Sequence, residues 1–224
     1  MTTVAERWRA VRAAIDAECE TLGRNPDDVT LVTVTKFHPA SLVRELIEAG
    51  ARDFGESRHQ DAAPKVAEIG DDTIRWHFVG QIQSNKAKAI AQYASVLHSL
   101  DRPSVVAALR TSESHVDGFI EVNLTDDPAR GGVMGETALL ELAALITEVP
   151  AITLRGVMAV APLTGSADHA FAELQRLSGI LATVHPGATD ISAGMSNDWQ
   201  VALRYGATHL RIGTAITGNR PAVG

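Results

Sequence analysis

Two rhythms of apolar residues alternate along this chain. Short, nearly continuous apolar runs stand at residues 31–36, 52–55, 75–80, 96–100, 118–123, 154–160, 190–193 and 209–213. Between them, at 39–49, 58–69, 85–93, 103–112, 136–148, 167–184 and 198–205, apolar positions recur every three or four residues, as they also do at 4–22 before Gly23 and Pro26. The first rhythm predicts buried strands and the second predicts helices with one face on a core. Strands that alternate with helices imply right-handed crossovers and a parallel sheet. Eight such units in 224 residues predict an α/β fold, a closed (β/α)8 TIM barrel with an extra N-terminal helix. The alternative is an open doubly wound sheet, since the second and seventh runs are weak, but no G-x-G-x-x-G follows the first run. The longest loop-like stretch, residues 125–135, falls inside one unit, so residues 1–224 are expected to form a single domain.

A barrel brings the C-terminal ends of its strands to one mouth, where the chemistry of such folds resides. Here those ends carry Lys36, Gly55-Glu56-Ser57, Gly80-Gln81, Ser99-Leu100-Asp101, Asn123, Pro162, Gly194-Met195-Ser196-Asn197-Asp198 and Gly213-Thr214. A lysine closing a buried-type strand can meet a ligand with its amine, and desolvation would favour its neutral, nucleophilic form. Loops after the seventh and eighth strands commonly hold phosphate in this architecture. Gly194 permits a tight turn there, Ser196 or Asn197 can cap the next helix, and Gly213-Thr214 adds amide donors and a hydroxyl. Arg211 lies two residues before Gly213 on the same strand face, and an arginine inside a barrel requires an acceptor, for which a ring nitrogen would serve. Each feature also has a plain structural reading. Lys36 can snorkel to water, Ser196 can be only a cap, and Gly213-Thr214 only a turn. Arg211 can lie on the surface or pair with a carboxylate such as Glu56.

Composition narrows the partners. A formal net charge of -7 is unfavourable for binding a phosphate backbone, so nucleic acid is not an expected partner. The single cysteine, Cys19, excludes an intramolecular disulfide framework and fits a reducing cytoplasm. No apolar run approaches the roughly 18 residues of a membrane span, and the first ten residues, with Glu6, Arg7 and Arg9, do not read as an export signal. The eight histidines include no H-x-x-x-H or H-E-x-x-H pattern, so no metal site is expected.

An amine for a Schiff base, an anion cradle and a donor for a ring nitrogen together describe a site for pyridoxal 5'-phosphate (PLP). Here the chain resembles the single-domain pyridoxal phosphate homeostasis proteins, which look like the barrel domain of alanine racemase without its second domain. The resemblance covers nearly the whole chain. It rests on Val34-Thr35-Lys36, Phe54-Gly55-Glu56, residues 76–86 (WHFVGQIQSNK), Ser99-Leu100-Asp101, Leu154-Arg155-Gly156-Val157-Met158, Gly194-Met195-Ser196-Asn197-Asp198 and residues 211–216 (RIGTAI). It implies that Lys36 forms the internal aldimine, that Ser196, Gly213 and Thr214 hold the phosphate, and that Arg211 faces the pyridine nitrogen. Ser57, His77 and Met195, inside or beside the matching motifs, complete the expected cofactor-binding set. Three positions depart from the family's pattern: Ser57 replaces its usual Asn, Arg130 its common Lys, and Thr217 its usual Phe.

An arginine partner leaves the pyridine nitrogen unprotonated and weakens the ring as an electron sink. Two-base racemisation also needs a tyrosine that the racemase takes from its second domain, and here Tyr93 and Tyr205 are both predicted on outer helices. The reading is therefore a non-enzymatic holder of PLP that buffers the cofactor or hands it to apo PLP enzymes, as a monomer or weak dimer. The alternatives are a weak amino-acid racemase, a Schiff-base aldolase using His77 or Glu56 as acid/base, and a structural partner protein.

Overall fold

Strands β1 (Thr30–Val34), β2 (Asp53–Glu56), β3 (Arg75–Phe78), β4 (Val96–Leu100), β5 (Val116–Glu121), β6 (Ile152–Met158), β7 (Asp190–Ser192) and β8 (His209–Ile212) form a closed parallel barrel in chain order. The computed structural model describes residues 2–219, apart from Asp126, Leu163 and the side chain of Pro128. Asp126, in the long loop singled out above, thus lies outside the described residues. Pairing of β1 with β8, from Thr30 opposite His209 to Thr33 opposite Ile212, closes the ring. All eight expected strands form, and the weak second and seventh runs are real but short.

Side chains alternate across each strand, as the pleat requires. Phe54, Trp76 and Phe78 point outward into the layer between sheet and helices, with the Phe54 and Trp76 ring centroids 5.7 Å apart. Burying each such ring contributes about 1.5–3 kcal/mol, so this layer carries much of the fold's stability. The inward set is unusual, because it includes His77, His98, Ser192, His209 and Arg211 beside Val96, Phe119 and Met158. His77, His98, Ser192 and Arg211 survive inside the barrel because they bond to one another, while His209 bonds the Thr208 hydroxyl at 2.9 Å.

The helices α2 (Ala40–Ala49), α3 (His59–Ile69), α4 (Ala87–Ala91), α5 (Pro103–Leu109), α6 (Gly135–Thr147), α7 (Ala167–Val184) and α8 (Trp199–Arg204) surround the sheet. The helix expected over residues 85–93 is shorter than its apolar spacing suggests, because a 3-10 turn at Ser84–Lys86 takes its first turn. Helix α1 (Val4–Thr21) begins with a capping box between Thr3 and Glu6 and lies over the β8–β1 closure. Its Trp8 Nε1 donates to Thr33 Oγ1 at 3.1 Å and its Arg12 Nη1 to the Val29 carbonyl at 2.9 Å. A ninth helix, α9 (Thr214–Thr217), is a single turn that the apolar pattern did not announce, and Arg7 Nε holds its Ile216 carbonyl at 2.6 Å. No helix among the described residues is long and apolar enough to cross a membrane.

Candidate binding site at the barrel mouth

The turn that presents Lys36 is fixed from behind. Lys65 on α3 is buried, and its Nζ donates to Glu56 Oε1 at 2.6 Å and to the Thr35 carbonyl at 3.0 Å. The Thr35 hydroxyl donates to the same Glu56 oxygen at 2.8 Å. With Thr35 held at both polar groups, the chain turns sharply: His38 N donates to the Thr35 carbonyl, and Phe37 adopts φ 70°, a left-handed conformation unfavourable for a bulky side chain. Strain of this kind persists where surroundings impose it, and here it projects Lys36. Strand β1 ends at Val34, two residues earlier than expected, and Lys36 is exposed. The desolvation anticipated for its amine is therefore absent, and Glu56 pairs with Lys65 instead of Arg211.

The opposite side of the same seam carries the anion-binding groups. Ser196 was a candidate cap for α8, but Asp198 occupies the N-cap position and its Oδ1 accepts from Met195 N at 2.6 Å. The Ser196 hydroxyl is left to cross to the β8–α9 junction. There it accepts from the Thr214 hydroxyl at 3.2 Å and from Ala215 N at 3.3 Å. Gly194, at φ 93°, makes the crossing possible, and a Cβ there would lie 2.8 Å from Ala202 Cβ. Gly213 borders β1: a Cβ on it would sit 3.5 Å from the Val34 carbonyl, two residues before Lys36.

Beneath these groups Arg211 points into the barrel, its guanidinium buried. Nη1 donates to Ser192 Oγ in a very short contact, and Nη2 to the Ala159 carbonyl at 2.8 Å. Burial lowers its pKa to about 10, which still leaves it cationic at neutral pH. Ser192 Oγ also bonds His98 Nδ1 at 2.8 Å, His98 Nε2 lies 2.9 Å from His77 Nδ1, and His77 Nε2 lies 2.8 Å from Asp53 Oδ1. A column of hydrogen bonds thus runs from the floor of the barrel up to Arg211. Burial drives the pKa of His77 down and that of His98 well down, and with help from nearby charges takes His209 to about 3. Neutral imidazoles can pass one donor and one acceptor along such a column.

The expected residues therefore divide. Lys36, Ser196, Arg211, Gly213 and Thr214 converge on the β8–β1 side of the mouth, and Met195 stands exposed on its rim. Ser57 lies in the loop after β2, packed so closely that a Cβ on Gly80 would fall 2.1 Å from the Ser57 carbonyl. His77 is not at the mouth, because Asp53 and His98 occupy both its ring nitrogens in the lower half of the barrel. Lys65, His98 and Ser192 escaped the sequence reading, as did Glu121 at the end of β5, whose buried Oε2 has no hydrogen-bond partner among the described residues. The converging donors suit a phosphorylated pyridine aldehyde. They comprise a reachable amine, two hydroxyls with a main-chain N–H, and a fixed guanidinium with two of its five N–H donors accounted for among the described residues.

The chain matches the family described as "Alanine racemase, N-terminal domain" over residues 11–221. It is 38% identical over 226 residues to the pyridoxal phosphate homeostasis protein of Pseudomonas aeruginosa, covering 98% of this chain and 97% of the relative. It is 34% identical to that of Escherichia coli, covering 98% of each. Among solved structures, PipY of Synechococcus elongatus superposes with a TM-score of 0.84 without PLP and 0.82 with PLP bound, at 30% identity over 96% of this chain and 100% of PipY. Alanine racemase from Corynebacterium glutamicum, at 16% identity and TM-score 0.73, shares the fold over 61% of its length. The chain belongs to the alanine racemase N-terminal domain family, within its branch of single-barrel pyridoxal phosphate homeostasis proteins.

Proposed function

We propose that this protein binds PLP at the barrel mouth as a reversible Schiff base on Lys36 and acts as a reservoir of the cofactor, releasing it to apo PLP enzymes, without substantial turnover of amino acids. The observation that carries the reading is the meeting of Ser196 with Thr214 and Ala215, beside the turn that bears Lys36 and above the buried Arg211. Ser196, Gly213 and Thr214 would hold the phosphate, Arg211 the ring nitrogen, and Met195 and Ser57 the edges of the pocket. The PLP-bound PipY structure and the names of the curated relatives support PLP as the ligand. Bound PLP would supply an electron-accepting ring, but a cationic partner at its nitrogen restrains that capacity. The two tyrosines also lie outside the barrel, Tyr93 against His59 and Tyr205 against Asp168. No tyrosine is thus available as the second acid/base opposite Lys36.

Absorbance tests the reading. Protein incubated with PLP should show a band near ~420 nm that borohydride bleaches and that Lys36→Ala lacks. Absence of the band in wild type sinks the cofactor assignment. A band accompanied by rapid exchange of amino-acid α-protons sinks the non-enzymatic one.

A further inference from the structure

Among the described residues, Glu121 is the one acidic group of the barrel interior for which neither the fold nor the proposed cofactor contacts account. It ends β5, two residues after Phe119, whose ring lies against His98 at 4.9 Å and His209 at 5.0 Å inside the barrel. Residues two apart on a strand share a face, so Glu121 faces inward at the mouth end. Its backbone is held, since the Glu121 carbonyl accepts from Val133 N at 2.8 Å. Its Oε2 is shut off from solvent and bonded to nothing among the described residues. A buried carboxyl oxygen left unpaired is costly unless a proton or a ligand satisfies it.

We propose that Glu121 is a further residue of the binding site, an acid that takes up a proton as the phosphorylated cofactor enters, so that capture of the cofactor is linked to pH through this carboxyl. The inference rests on the PLP reading above. The charges around Glu121 set the direction. From the end of β4, Asp101 opposes its ionisation, while Arg102, engaged with Asp101 at 2.6 Å and with the Ile82 carbonyl at 2.6 Å, favours it weakly. From β8, Arg211 favours ionisation, though Ser192 and Ala159 already engage it and Asp198 shares its charge. Lys36 follows β1, which stands opposite β5 in the eight-strand ring, and Arg130 belongs to the loop that follows β5. His77 and His98, in the layer beneath, are held neutral by burial. Burial, with Asp101 second, pushes the Glu121 pKa up to about 7, so the apo protein is near half-protonation at neutral pH. A phosphate dianion brought into the same mouth disfavours the carboxylate further, and the protonated form gains.

Calorimetric titration of the full chain with PLP at pH 7.5, in buffers of different ionisation enthalpy, counts the protons taken up. The phosphate and Lys36 contribute equally in wild type and in Glu121→Gln, so the difference isolates Glu121. Wild type should take up a sizeable fraction of a proton more than the variant, and its affinity should fall more steeply from pH 7 to pH 8.5. Equal proton numbers overturn the inference. The apo proteins provide a second arm. An acid whose folded pKa of about 7 exceeds its unfolded value of 4.5 costs stability progressively as pH rises through that window, and the full cost persists above it. Glu121→Gln should therefore melt increasingly above wild type as pH rises from 4.5 to 7, and parallel profiles across that range overturn the inference. If wild type binds no PLP, the PLP reading falls and takes this inference with it. If it binds PLP with unchanged proton numbers in the variant, this inference alone falls.

Discussion

Ser196 holds two donors that arrive from another loop, the Thr214 hydroxyl and the Ala215 amide, and its own position depends on Gly194 turning the chain at φ 93°. A serine before a helix ordinarily caps it, and that role was open to Ser196 until Asp198 proved to stand between it and α8. Freed from the helix, its hydroxyl can serve an anion. Ser196→Ala should therefore weaken PLP binding by about 1.5–3 kcal/mol, the worth of one hydrogen bond to a charged group, or roughly ten- to 150-fold. Fluorescence titration should find the affinity for pyridoxal, which has no phosphate, unchanged. An equal loss for both ligands would place Ser196 somewhere other than the phosphate cradle.

At the scale of elements, the pairing of β2 with α3 shows what apolar rhythm can and cannot reveal. Strands and helices were legible because burial imposes a period, and the strand ends named the mouth residues before any fold was built. Lys65 was not legible. On an amphipathic helix a lysine reads as solvent-facing, yet this one is buried on Glu56, and only the tertiary pairing of α3 behind β1 and β2 makes that tolerable. Removing one member of such a pair strands a buried charge, at a cost of about 3–5 kcal/mol. Lys65→Met and Glu56→Leu should each lower the urea midpoint accordingly, whereas the two combined should recover much of the loss. A double variant as unstable as the sum of its parts would show that the pair is not coupled. Each single variant should also loosen the Thr35–Phe37 turn and so the presentation of Lys36.

For the whole molecule, the sequence resolved an outer shell and a mouth but not the interior that joins them. His77 was expected among the cofactor contacts because it lies inside a motif that the family shares, yet a motif alone cannot say how far up the barrel a side chain reaches. The column from Asp53 through His77, His98 and Ser192 to Arg211 draws on five different strands, a juxtaposition that barrel closure creates. That separation between a rigid, self-bonded interior and an exposed Lys36 leads to a final expectation. Lys36 contributes nothing to the core, so Lys36→Ala should melt within about 1 °C of wild type without cofactor, as surface substitutions generally change stability little. Adding PLP at a hundred times its Kd should stabilise wild type by about 2.7 kcal/mol, or roughly 5–10 °C for a chain of this size. The alanine variant, retaining only the phosphate and ring contacts, should gain far less at the same concentration. A full thermal shift in Lys36→Ala would mean that the cradle and Arg211 retain the cofactor alone, and Lys36 would lose its place as the anchor.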